Sequence, residues 1–319
     1  LAHPAKYGVA VTKVRQLQAC DVDDVVALIA GRLADDATVH PLINPAISRQ
    51  LLADSLLGAL HETWVAEEDG RIVGHLYGAL LQNDDYGQGA WIGPDGASFP
   101  SIDVLSDLYR AGGASWIEHG ALEHYVWTLE HESRTTAWHQ LGFARMHLRG
   151  VMVIPPRRAP PLPAGYRLRR GNIEDLDLAV TLDTALDWAQ RQGPSFSISA
   201  HGGSKRGDLY ETLVDPEVHH YIVEFNGEGV AQCITFPLPP RRGSFDDTLH
   251  LSAVVVLPEH QSRGIATVMV DHALANAADA NFHFVETNWR VTNRRAQSFW
   301  CNYGFQPTYV RLHRTIGSG

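Results

Sequence analysis

The stretch QSRGIATVMV, residues 261–270, decides the fold. It follows LHLSAVVVL (249–257), a run too β-branched to be an easy helix, and Pro258 marks the end of that strand. Residues 264–278 then carry helical spacing with few breakers. The order is strand, tight turn, helix. Such a turn places several backbone amides at a helix start, where they converge on a small volume and favour a pyrophosphate. Gly264 permits a backbone angle and a close approach that a β-carbon blocks, Ala266 is small, Thr267 adds a hydroxyl, and Arg263 can set positive charge beside phosphates.

Outward from this centre, HFVETNWRV (283–291) supplies another strand. Asn293 opens a helix rich in Arg and Gln, Gly304 ends it, and PTYVRLHRTI (307–316) is a final alternating strand. Upstream, YIVEFNGEGVA from Tyr221 is an apolar strand, an Asn-Gly turn and a return strand. From residue 166 onward the order is strand, helix, two hairpin strands, strand, helix, strand, helix, strand, which packs naturally as a mixed sheet flanked by helices.

The proline-rich segment VIPPRRAPPLPAG (153–165) reads as an interdomain linker, since its five prolines sustain neither a helix nor a central strand. Both sides of it follow one programme. VRQLQACDVDDVVALIAGRL from Val14 matches YRLRRGNIEDLDLAVTLDTAL from Tyr166, with Asp21 or Asp23, and Asn172, able to cap the helices. WVAEEDGRIVG from Trp64 aligns without a gap to the hairpin at Tyr221, and TAWHQLGF, ending at Phe143, echoes SFWCNYGF, ending at Phe305. The expected domains are 10–152 and 166–316.

Together, QSRGIATVMV and NRRAQSFWCNYGF (293–305) resemble the two core motifs of the GNAT acetyltransferase superfamily. The resemblance implies an α/β (α+β) fold of two GNAT-like domains, each a mixed, mainly antiparallel twisted sheet flanked by helices. It implies acetyl-CoA, or another acyl-CoA, as cosubstrate, with its pyrophosphate on Gln261, Ser262, Arg263, Gly264, Ile265, Ala266 and Thr267. The pantetheine arm would pair with the main chain of Val254, Val255 and Val256, which also supplies the oxyanion donor. Asn293 would stand beside that arm, and Phe299 and Trp300 would line the thioester end. The implied activity is N-acetyl transfer to a small-molecule amine at the C-terminal domain. The alternative is a CoA-binding sensor or partner-binding module without transfer, because Trp300 stands where the family often has Tyr and an indole N–H is too weak an acid to replace a phenol. Tyr303 lies one helical turn away and does not inherit that place.

For the base, Glu286 and His250 lie on the strands expected to flank the cleft, with Glu224 a third candidate; Glu286 can instead pair with Arg290. The acceptor pocket is expected in the segment 185–203, with Asp187, Trp188, Ser195 and Phe196 as its lining and Asp84, Asp85 and Tyr86 as more distant candidates. In the first half the matching segment SFPSIDVLSDLYR (98–110) lacks glycine and carries Asp103 and Asp107, which favour the helix dipole themselves and repel pyrophosphate; His131 replaces Asn293. That half is expected to have lost CoA binding and to serve in packing and in shaping the acceptor pocket.

Composition narrows the partners. At 319 residues the chain is long enough for two cores, and with 45% apolar and 19% charged residues no segment reaches the length of a membrane span. Its first residues lack the apolar core of a secretory signal, so a cytoplasmic location is expected. The formal charge of -10 disfavours nucleic acid and anionic membrane and suits a cationic substrate. Three scattered cysteines suggest buried, reduced thiols, and seventeen histidines without an H-E-x-x-H spacing suggest no metal site. Nothing in the sequence sets an oligomeric state.

Overall fold

The computed structural model describes residues 12–83, 87–156, 159–197 and 205–317, so Asp84, Asp85 and Tyr86 lie outside the described residues. The chain forms two compact units: Leu1–Gln82, Gln88–Ala144 and Leu312–Gly319 make the first, while Asn83–Gly87 and Arg145–Arg311 make the second.

The first unit contains β1 (Lys13–Gln16), α1 (Val22–Val39), α2 (Arg49–Gly58), β2 (Thr63–Glu68), β3 (Arg71–Tyr77), β4 (Ala79–Asn83, as far as Gln82), β5 (Gly87–Ile92, from Gln88 onward), β6 (Ala97–Ser98), α3 (Ile102–Glu118), β7 (Glu123–Leu129) and α4 (Glu132–Gln140). Strands β1, β2, β3 and β6 form an antiparallel sheet, and β5 runs parallel to β7. Val25, Ile29 and Leu33 of α1 recur at helical spacing and are at most 1% exposed, which places one face of that helix in the core with Val65 of β2.

The second unit contains β8 (Ala144–Val153, from Arg145 onward), β9 (Tyr166–Arg170), α5 (Leu176–Arg191), α6 (Lys205–Val214), β10 (His219–Phe225), β11 (Glu228–Pro237), β12 (Thr248–Val256), α7 (Ile265–Asp279), β13 (Phe284–Arg290), α8 (Arg294–Tyr303) and most of β14 (Gln306–Thr315). Its sheet runs β9-β10-β11-β12-β13-β8-β14; neighbours from β9 to β12 are antiparallel, as are β13 and β8, while β12 and β13 are parallel. Strand β8, from the first half of the sequence, thus pairs with β13, while the end of β14 lies in the first unit beside β7, where Ile316 N–H donates to Leu122 O at 2.8 Å.

The expected α/β fold with its repeated programme is what forms. Both hairpin turns require left-handed backbone, and they have it: φ is 49° and 76° at Asp69 and Gly70, and 52° and 89° at Asn226 and Gly227. The repeat extends to ion pairs. Arg15 binds Asp21 and Glu67; Arg169 binds Asp175 and Glu224 in the same pattern. These contacts correct the first correspondence, moving Arg15 onto Arg169 rather than Arg167. They also correct the capping expectation at Asp21: its carboxylate accepts from Arg15 and from the Gln18 N–H, not from the following helix. Asn172 does cap, but on the short 3-10 turn ahead of α5, accepting from Glu174 N–H at 2.7 Å. Helix α6 was not anticipated, and the cysteine expectation holds only for Cys233, since Cys20 and Cys301 are exposed.

Candidate active site

The site is built where β12 and β13 part. Their parallel pairing covers Thr248, Leu249 and His250 against Phe284, Val285 and Glu286, and the Thr287 hydroxyl donates to Leu251 O just beyond it. On the other side of β12, Gln232 faces Val255 and Ile234 faces Ser252, so β12 carries one extra residue there, with Ala253 at φ 49°. Such a bulge bends a strand. Among the described residues, 252–256 have no ladder partner on the β13 side, which leaves a strand edge able to pair with an extended ligand. This is the position expected for Val254, Val255 and Val256.

The turn 261–266 follows. Ser262 and Gly264 both take left-handed backbone, at φ 60° and 78°. The position of a β-carbon on Gly264 meets no atom within 4 Å, so space stands open above the turn. Gly264 is the N-cap of α7 and offers no side chain, and the first intrahelical bond is Val268 N–H to Gly264 O. The N–H groups of Ile265, Ala266 and Thr267 precede that bond, so they are the uncapped donors of a helix start. Gln261 stabilises the turn in a way its sequence position did not reveal, donating from Nε2 to Val256 O at 2.9 Å. Arg263 folds back to Glu259 O at 3.1 Å, so its side chain is engaged within the loop.

The matching helix of the first unit is closed. Ser101 caps α3 by accepting from Val104 N–H, and Asp103 occupies its first turn. Asp107 pairs with Arg110. Where the second unit ends its parallel pair at His250 and Glu286, the first ends at Ile92 and Val126, two apolar residues. The equivalence of Asn293 and His131 is visible in the caps. Asn293 Oδ1 accepts from Ala296 N–H to start α8, and His131 Nδ1 accepts from Ser133 N–H to start α4.

The structure gives several expected site residues other partners. Trp300, expected at the thioester end, is 5% exposed and packs edge-on against Phe305 at 5.1 Å and Phe299 at 4.8 Å. Its indole area is spent on the core, while Phe299 on the same helix stays half-buried. Glu224 is engaged in ion pairs: Arg167 and Arg169 both hydrogen-bond its carboxylate and hold it below the usual range. Glu286 is fully buried and pairs not with Arg290 but with Arg149, at 3.6 Å, and Arg241. Arg290 donates instead to Gln190 Oε1 at 3.1 Å. Burial alone would push the Glu286 carboxyl up, but Arg149, His250 and Arg241 outweigh it and bring it down to about 2. Burial drives Arg149 down to about 10, still charged at neutral pH.

His250 keeps its place at the apex. Its Nδ1 stands 3.7 Å from Glu286 Oε1, its ring lies 5.0 Å from that of Phe236, and its side chain retains 14% exposure. The acceptor candidates are partly gathered. Ser195 bonds Thr292 at 3.0 Å, which brings the segment after α5 to the end of β13. Trp188 and Phe196 present their rings to solvent at 62% and 73% exposure, and Asp187 is half-buried on α5. A cavity of about 200 Å³ between Thr235, Leu249, Ala277 and Phe282 lies under α7, away from the parted strand ends. Among the described residues no cluster of His, Cys, Asp and Glu is arranged to hold a metal, and no helix is long and apolar enough to cross a membrane.

Residues 182–305 match the acetyltransferase (GNAT) family. No curated protein matches the chain by sequence. Among solved structures, a GCN5-related N-acetyltransferase from Sphaerobacter thermophilus is similar at 18% identity, with 97% of this chain and 96% of that one covered and a TM-score of 0.64. A tandem GNAT protein from the clavulanic acid biosynthesis pathway is similar at 16% identity, 97% and 100% coverage and a TM-score of 0.54. At these identities the likeness is one of fold.

Proposed function

We propose that the second unit transfers an acyl group from acyl-CoA, acetyl-CoA first among them, to the amine of a small molecule; the match of residues 182–305 to the acetyltransferase (GNAT) family and the likeness in fold to a tandem GNAT protein support this reading. The observation that carries this reading is the parting of β12 and β13 beside an uncapped α7 start. The free edge at 252–256 would hold the pantetheine arm and the amides of residues 264–267 the pyrophosphate. Acyl-CoA brings the acyl group as a thioester. The main chain of 254–256 is the donor toward the oxygen that gains charge when the amine attacks. His250, with a ring nitrogen beside a fixed carboxylate, is the group of this chain that can take the proton from the incoming amine.

A second reading rests on Trp300. With that ring in the core, no phenol stands at its position to protonate the leaving thiolate, which is what a binding module without transfer would show. Calorimetry with acetyl-CoA tests the shared premise: binding of one equivalent is expected, and a folded protein that binds none sinks both readings. Thiol release across a panel of amines then separates them, because a pure binder yields only background hydrolysis.

The first unit is proposed to bind no CoA. Asp103→Ala is expected to leave the stoichiometry at one per chain, since Ser101 still caps α3 and no glycine turn precedes it. A calorimetric stoichiometry of two would overturn the assignment.

A further inference from the structure

Two polar atoms at the parting of β12 and β13 have no partner among the described residues and still reach solvent: Nε2 of His250 and Nη1 of Arg241, on side chains that are 14% and 31% exposed. Both groups are fixed from behind by the same atom. Glu286 Oε1 lies 3.7 Å from His250 Nδ1 and pairs with Arg241 Nη2, while Arg241 Nε donates to Ser244 Oγ at 3.1 Å. One edge of the guanidinium is thereby occupied, and Nη1 is left with two N–H groups to offer. Phe236, half-buried, stands beside the imidazole with its ring 5.0 Å away. The surroundings are cationic. The charges acting most on the buried Arg149 are Glu286, Arg241 and Arg311, one carboxylate against two further guanidiniums. Asp247, on the loop that carries Arg241, is taken up by His283. The whole-chain charge of -10 suits a cationic substrate, but the charge at this cleft does not. A plain alkylammonium would meet like charge on entry, whereas an amine with its own carboxylate would not.

Taking acyl transfer at this cleft as the premise, we propose that the acceptor is an α-amino acid, whose carboxylate accepts from Arg241 Nη1 while its amine faces His250 Nε2. The amine and carboxylate of an α-amino acid share one carbon, which suits two groups held on a single glutamate oxygen. The bound carboxylate pairs with a guanidinium that is already positioned, the strong form of such a hydrogen bond. The cationic surroundings favour the neutral form of the amine, the form that attacks the thioester. In the transfer the amine nitrogen bonds the acyl carbon and the C–S bond breaks. CoA leaves as the thiolate with that electron pair, and the proton shed by the amine passes to His250 Nε2. The first unit has no such pair of groups, since Ile92 and Val126 stand at the corresponding strand ends.

The test is CoA release from acetyl-CoA by the full chain with a panel of L-amino acids, each set against its amide and against the amine that remains without the carboxyl group. The preferred acid is expected to exceed its amide and its amine in kcat/KM by about 10- to 100-fold, the usual worth of a charge-assisted hydrogen bond. Arg241→Gln should bring that ratio close to one, chiefly through KM of the acid. Should the variant fail to fold, the wild-type ratio decides alone. Release with amines or amides but no preference for the acids overturns the amino acid and leaves acyl transfer standing. A folded Arg241→Gln protein that slows acids and amines equally overturns the role of Arg241. No release with any acceptor, from a protein that binds acetyl-CoA, removes acyl transfer itself and the amino acid with it.

Discussion

Glu286→Gln is expected to cost about 3–5 kcal/mol of folding stability in urea unfolding, the penalty typical of removing one partner of a buried ion pair. Glutamine keeps the shape of the side chain and removes only its charge. Arg149, itself buried, and Arg241 would then face each other across an uncharged amide. The pH dependence gives an independent reading of the same interaction. The folded carboxyl is depressed from its ordinary 4.5 to about 2, so its contribution is fully present above about pH 4.5 and is lost as the pH falls toward 2. A shift of that size corresponds to about 3 kcal/mol, in line with the mutational expectation. The variant should therefore lose the acid limb of the stability profile that the wild type shows in this window. A change below about 1 kcal/mol with an unaltered acid limb would show that Glu286 is not the anchor of this cluster. A fall in acyl transfer with stability intact would return it to the role of base.

The source of that anchor explains where sequence reading stops. Short-range chemistry was legible: Asp-Gly and Asn-Gly turns demand left-handed backbone, Asn293 and Gly304 bound a helix, and the glycine turn at 264 opens one. Each is decided within a few residues by φ, by a cap or by a missing β-carbon. The Arg149 partner of Glu286 leaves no such mark, because β8 comes from the first half of the chain and pairs with β13 in the second unit. The same holds for the repeat, where two arginines in YRLRR competed for one counterpart and only the bonds to Asp175 and Glu224 select Arg169. Trp300 shows a different limit. Its place on α8 was correct, but which way an aromatic faces depends on whether the core behind it, here Phe305, has room. Helix α6 carries no such signal, because KRGDLYETLV opens on polar, glycine-bearing sequence one residue after the pair Gly202 and Gly203.

Gly264→Glu is expected to reduce acetyl-CoA affinity by about 100-fold or more while the protein stays folded. The two effects separate because of where Gly264 stands. Its φ of 78° makes any β-carbon costly, by about 1–2 kcal/mol, but no protein atom lies within 4 Å of the position a β-carbon would take. The folding penalty is thus the backbone strain alone, and Gly264→Ala measures it. The carboxylate goes further, adding negative charge at the start of α7, beside the uncapped amides of Ile265, Ala266 and Thr267. There it satisfies the helix dipole from within, the arrangement that Asp103 already gives α3 in the first unit, and opposes a pyrophosphate. Calorimetry on the alanine and glutamate variants, both checked by circular dichroism, should show a modest loss for the first and near abolition for the second. Equal affinities for glutamate variant and wild type would mean that the pyrophosphate does not sit on this turn, and the open space above Gly264 would then need another occupant.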